Sequence, residues 1–152
     1  MILRVTCEML RNKKHPDGYM GVSGKNTLEI VDGDKIIDSN ISYVWWIGSG
    51  SPYPTPAGGP WAATYIENHP RFGRCWSVAT PLETDVMIHQ AVEWSMGCFI
   101  VNKNAEGNRF YQVLLSTCKN SLQVVNNPVI DSRSDADKKV NPIDYAKIGV
   151  IK

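Results

Sequence analysis

The chain has 152 residues, room for one domain around one core, and its apolar share of 43% is ordinary for a globular fold. Its net charge is +1 and its longest basic runs are the pairs Lys13-Lys14 and Lys138-Lys139, so it lacks the electrostatic footprint of a nucleic-acid binder. No stretch approaches the roughly 20 apolar residues of a membrane span. The opening Met1-Ile2-Leu3-Arg4-Val5-Thr6 is too short and interrupted for a signal peptide. The expectation is a chain that starts in the cytoplasm, or a mature form whose leader was removed.

Twelve Gly and 9 Pro break nearly every apolar run before it reaches helical length. In chain order, residues 2–7 read as a strand and residues 11–18 as a polar loop. Residues 27–31 and 34–37 flank Asp32-Gly33, a hairpin signal because Asp-Gly suits the positive φ angles of a type I′ turn. Residues 42–47 form another strand, and residues 48–54, Gly-Ser-Gly-Ser-Pro-Tyr-Pro, must be loop. Residues 61–66, 76–79 and 85–89 read as strands, the last ending in His89, and residues 98–101 resume β character. Residues 109–118 are ambiguous between helix and strand. Residues 123–130 are extended, 132–139 a polar exposed stretch or short helix, and 146–151 a closing strand. Without repeat, low-complexity block or linker, residues 1–152 form a single domain. The fold class is mainly β, a sandwich or mixed sheet with few short helices.

Cysteines stand at 7, 75, 98 and 118 with no C-x-x-C pair, which excludes the common zinc-knuckle and thioredoxin spacings. Most are expected to be buried thiols, although export would permit two disulfides. His15 and His69 lie in polar, loop-like surroundings and are expected to be exposed. No metal site and no cofactor is expected. Core packing accounts for about three of the five tryptophans.

The chemistry-bearing pattern is His89-x5-Ser95-Met96-Gly97-Cys98, set as strand–His–loop–Cys–strand. A cysteine nucleophile needs a base to take its proton and amide donors for the oxyanion of the tetrahedral intermediate. Gly97 leaves the amides of Gly97 and Cys98 open to a substrate carbonyl, and Ser95 either holds the turn or donates to the imidazole or substrate. A lone cysteine or histidine is more often a core residue; their combination with S-x-G-C shifts the balance toward catalysis. A second pattern, Thr55-Pro56-Ala57-Gly58-Gly59-Pro60-Trp61, is by itself only a Pro-fixed turn feeding a strand.

A T-P-x-G turn, a strand ending in Ile-His and then S-x-G-C together resemble the L,D-transpeptidase (YkuD-like) catalytic domain. The order is also similar to the compact transpeptidase-like domains of type VI secretion effectors and phage proteins. The resemblance covers roughly residues 42–101, and its specific part is the His–Cys segment. It implies a mostly β fold in which Cys98 attacks a peptidoglycan stem-peptide carbonyl and His89 activates it. Ser95 and Gly97 shape the oxyanion site, and a third group, often the backbone carbonyl beside the histidine, orients the ring. Trp94 and Gln90 would line the substrate groove. Arg74, with Arg71 and Arg109 as alternatives, would pair with a stem-peptide carboxylate. The chain departs from the family in having Gln90 where Gly usually follows the histidine, and Ile100 where Arg or Asn is common.

The reading that follows is a cysteine transpeptidase or carboxypeptidase acting in the periplasm or cell wall after secretion or lysis. Its partners would be stem peptide and an immunity or secretion-apparatus protein. The competing reading is a non-catalytic module of the same fold that binds wall peptide or a protein partner. A cysteine peptidase or amidase of another fold would need an Asn or Asp to orient His89.

Overall fold

The computed structural model describes residues 1–47, 53–82 and 85–143. Period-two alternation builds its first layer. In β1 (Ile2–Lys14) Leu3, Val5, Cys7 and Met9 are buried between partly exposed neighbours, and β2 (Met20–Asp32) answers with Val22, Leu28 and Ile30. The strand does not stop before the segment expected to be loop. Arg11 to Lys14 continue the antiparallel ladder, with Lys14 opposite Met20 and a register shift between Met9 and Arg11. Polar residues pair there because an antiparallel strand needs only one buried face.

The hairpin from β2 to β3 (Lys35–Trp46) forms one residue later than Asp32-Gly33 suggested. Asp32 pairs with Lys35, so Gly33-Asp34 is the two-residue turn. Gly33 has φ +60°, and among the described residues no non-glycine has positive φ. That pattern suits a type II′ turn, with Gly at its first central position, and not type I′.

The remaining elements are β4 (Gly58–His69), β5 (Gly73–Val78), β6 (Val86–Ala91), β7 (Trp94–Ser95), β8 (Phe99–Asn102), α1 (Ala105–Cys118), β9 (Leu122–Asn126), β10 (Ile130–Asp131) and α2 (Asp135–Val140). Among the described residues the strands form one mixed sheet in the order β7-β3-β2-β1-β9-β4-β5-β6-β8, with β10 beside β1. The fold is mainly β with a mixed sheet and, among the described residues, two helices. The ambiguous segment 109–118 is helical and belongs to α1. Asn104 caps it by accepting from the Gly107 amide, and Phe110, Tyr111, Leu114, Leu115 and Cys118 bury one helical face. The expected loop at 48–54 is described only at Tyr53 and Pro54, and the expected strand 146–151 lies outside the described residues.

The sheet curls until its ends meet. The side chain of Asn102 on β8 accepts from the Tyr43 amide on β3 at 2.6 Å and donates to the carbonyls of Tyr43 and Val92, both at 2.9 Å. The Asn102 amide donates to the Ser42 hydroxyl at 3.0 Å. One buried carboxamide thus replaces a stretch of backbone ladder, satisfying groups that a sheet edge would leave unpaired. Inside, Trp46, Trp76, Ile88, Phe99, Phe110 and Leu114 fill the core. Elsewhere, buried Arg133 pairs with Asp131 at 2.9 Å and donates to Asn12 and to the Asn141 carbonyl, tying α2 to β1. Among the described residues no helix is long and apolar enough to cross a membrane.

Candidate active site

His89 and Cys98 come from neighbouring parallel strands. β6 and β8 pair with Ile88 opposite Phe99 and His89 opposite Ile100, so Cys98, one residue before β8, falls beside Met87. Extending that ladder by one residue puts Cys98 two positions from His89 along the neighbouring strand. No hydrogen bond joins them. The Cys98 sulfur lies 4.0 Å from the carbonyl oxygen of Asp85, and His89 Nδ1 lies 2.9 Å from the carbonyl oxygen of Gln90.

That second bond fixes the imidazole. With Nδ1–H donating to the Gln90 carbonyl, Nε2 is left as an acceptor. The ring is buried and stacks on Phe72 at 3.8 Å between centroids. Burial pushes its pKa below the ordinary value; the Gln90 carbonyl opposes that, and the charges of Arg71, Lys103 and His69 add to it. His89 is therefore neutral at neutral pH, the state a base must have.

Cys98 is half-buried, whereas Cys7, Cys75 and Cys118 are buried; all four are free thiols. Burial raises the Cys98 thiol pKa, opposed by the Met87 backbone and the Arg71 charge and reinforced by Asp85. The resting group is a thiol, not a thiolate. Arg71 acts on both members of the pair, disfavouring imidazolium and favouring thiolate.

Ser95 holds the turn. Its hydroxyl donates to the Cys98 carbonyl at 2.7 Å and accepts from the Gly97 amide at 3.1 Å. This corrects one expected role, because the Gly97 amide is already engaged and is not open to an oxyanion. Gly97 has φ +113°, a conformation that side chains other than hydrogen rarely adopt. Its carbonyl accepts from Thr55 Oγ1 at 2.7 Å, and buried Asn126 donates to the carbonyls of Thr55 and Pro56, both at 2.9 Å. The T-P-x-G segment is thus a brace for the S-x-G-C loop.

A cleft of about 490 Å³ opens beside His89, lined by His89, Gln90, Trp94 and Arg74 together with Arg71, Phe72, Lys103 and Tyr111. It gathers four of the seven residues singled out from sequence; Cys98, Ser95 and Gly97 lie outside its lining. Gln90 is tethered to α1 through Asn108 at 2.8 Å. Trp94 is exposed and packs edge-on against Trp45 at 5.8 Å and His15 at 5.6 Å. His15, expected to be exposed, is buried in that aromatic cluster because it also stacks on Tyr19 at 4.4 Å. Arg109 is held by Asp38 at 2.6 Å and lines a different pocket. Sequence reasoning missed Phe72 and Lys103. Neither belongs to a motif; the β4–β5 turn and the end of β8 bring them in.

Among the described residues no three His, Cys, Asp or Glu side chains converge as a metal site. No family model, curated protein or solved structure matches the chain.

Proposed function

We propose that the chain is a cysteine-dependent acyltransferase acting on peptidoglycan stem peptides, an L,D-transpeptidase or L,D-carboxypeptidase, with Cys98 as nucleophile and His89 as base. The observation that supports this reading is the parallel β6–β8 register, which sets Cys98 two positions from His89 on the neighbouring strand while the Gln90 carbonyl accepts from Nδ1 and leaves Nε2 to take a proton. In the proposed step, Cys98 turns from Asp85 toward the ring, its S–H proton passes to Nε2, and sulfur bonds to the substrate carbonyl carbon. The carbon–nitrogen bond then breaks and the imidazolium proton goes to the departing amine, leaving a thioester. Water or a second amine attacks the thioester and gives up a proton to His89, which returns it to the departing sulfur as the carbon–sulfur bond breaks, restoring the thiol and the neutral imidazole.

The proposed place of action is the periplasm or cell wall, where that substrate lies. An antibacterial effector with an immunity partner, or a phage-encoded wall enzyme, would be the biological setting. Wild type and Cys98→Ala are compared on defined muropeptides by mass analysis, with unfolding followed in parallel. Shortened or exchanged stems from wild type alone support the proposal; equal turnover by both proteins removes Cys98 from the mechanism.

The engaged Gly97 amide and the raised Cys98 pKa favour a second reading, a module that binds wall peptide or a partner protein without turning it over. Binding of muropeptide with no product from either protein would select it.

A further inference from the structure

We propose that the cleft beside His89 is a carboxylate-binding subsite, in which Arg71 and Lys103 hold the free C-terminal carboxylate of a peptide close to His89 Nε2. Three segments bring cations to this cleft: Arg71 in the β4–β5 turn, Arg74 in β5 and Lys103 directly after β8. Like charges gathered in one cleft repel one another unless an anion joins them. No acidic side chain among the described residues lines the cleft, and none of the three cations forms an ion pair there. Glu67, whose charge Arg74 feels, is committed outside the cleft to Lys119 and the Tyr65 hydroxyl. His89, whose Nε2 has no hydrogen-bond partner among the described residues, lines the same cleft.

A guanidinium matches a carboxylate with two parallel hydrogen bonds, and the ammonium of Lys103 adds a point charge. Phe72, Trp94 and Tyr111 supply apolar walls for the residue that carries the carboxylate. An extended nucleic-acid phosphate chain does not fit a protein whose net charge is only +1. Arg71 acts on Cys98 as well as on His89, so an anion held at Arg71 would lie within electrostatic reach of both. The peptide as bearer of the carboxylate rests on the acyl-transfer reading; the preference for a carboxylate does not.

The test uses the full chain carrying Cys98→Ala, so that binding is read without turnover. A tetrapeptide stem with a free C-terminus and the same peptide amidated there are titrated by calorimetry, with inorganic phosphate as competitor. The acid should bind at least tenfold more tightly than the amide. Adding Arg71→Gln or Lys103→Gln should bring the two within about threefold, while Arg109→Gln outside the cleft should leave the preference intact. Equal affinities, no binding of either peptide, or phosphate displacing the acid below the peptide's own Kd would each overturn the subsite. Should a cleft variant fail to fold, the acid–amide comparison on Cys98→Ala decides alone. Acid preference without Cys98-dependent turnover by wild type would keep the subsite and sink the acyl-transfer reading; turnover without acid preference would do the reverse.

Discussion

The hydroxyl of Thr55 donates to the carbonyl of Gly97 at 2.7 Å, joining segments 42 residues apart. Ser95 holds the same loop from within, and Asn126 holds Thr55 from β9. The backbone that delivers Cys98 is therefore fixed by side chains from three separate segments.

Thr55→Val keeps the shape of the side chain and removes the donor, leaving the Gly97 carbonyl short of a partner. The expected cost is about 1–2 kcal/mol in denaturant unfolding. Any Cys98-dependent turnover should fall further than stability does, because the loop position is what the bond controls. Gly97→Ala forces a Cβ onto φ +113° and to 3.2 Å from Thr55 Oγ1, with an expected cost of about 1–3 kcal/mol. Unchanged unfolding and turnover in both variants would show that the brace is idle.

Thiol chemistry separates accessibility from activation. Cys98 should be the first of the four cysteines to be alkylated, because the other three are buried. Its rate should nevertheless be slow near neutral pH and rise as pH climbs past 9.0, since burial holds the thiol above that value. Arg71→Gln should slow it further by removing the cation that favours thiolate. Mass mapping of alkylated peptides across a pH series reads all three outcomes, and fast neutral-pH labelling of Cys98 would contradict the environment described above.

Much of the β character was legible because alternation and turn residues are local: Leu3-Val5-Cys7 and the Asp32-Gly33 hairpin need no tertiary information. The turn was displaced by one residue because the ladder closed on Asp32–Lys35. Helix α1 was half-legible; Phe110, Tyr111, Leu114, Leu115 and Cys118 have helical spacing, but the Asn104 cap that starts it five residues before the expected segment was overlooked. The strand expected to end at His89 runs on to Ala91, and β7 lies between it and β8, so the parallel β6–β8 pairing was not legible from the His–loop–Cys pattern. What the sequence hid was long-range: His15 is buried only because Tyr19, Trp45 and Trp94 converge on it, and Lys103 reaches the cleft only because β8 lies beside β6. The Thr55–Gly97 bond joins the T-P-x-G and S-x-G-C patterns across 42 residues, a link that no local signal carries.

Asn102 closes the sheet, and its chemistry makes a sharp test. Asn102→Asp keeps an acceptor for the Tyr43 amide but loses both donors, leaving the carbonyls of Tyr43 and Val92 facing a carboxylate. The expected loss is about 2–4 kcal/mol, from unsatisfied acceptors and a buried charge. Hydrogen exchange should rise at β3 and β8 before it rises in the β1–β2 hairpin. Uniform exchange across the sheet would show that the contact is not the seam.

Protonation of His89 should set both acid stability and the acidic limb of any activity. Its pKa in the folded protein is depressed from 6.5 chiefly by burial, with the Gln90 carbonyl acting against that and nearby cations in its favour. As pH falls below 6.5 the unfolded chain binds the proton first, so stability is complete above that value and is lost progressively down to the depressed one. Urea midpoints should therefore fall as the pH drops below 6.5, and His89→Gln should flatten that slope. The Asp131 carboxyl, held below 3.8 by Arg133, contributes its own loss only at lower pH. Turnover requires neutral imidazole, so its acidic limb should follow His89 and lie below 6.5 instead of above it. Arg71→Gln removes a cation that disfavours imidazolium and should move that limb upward. A limb above 6.5, or one indifferent to Arg71→Gln, would remove His89 as the base.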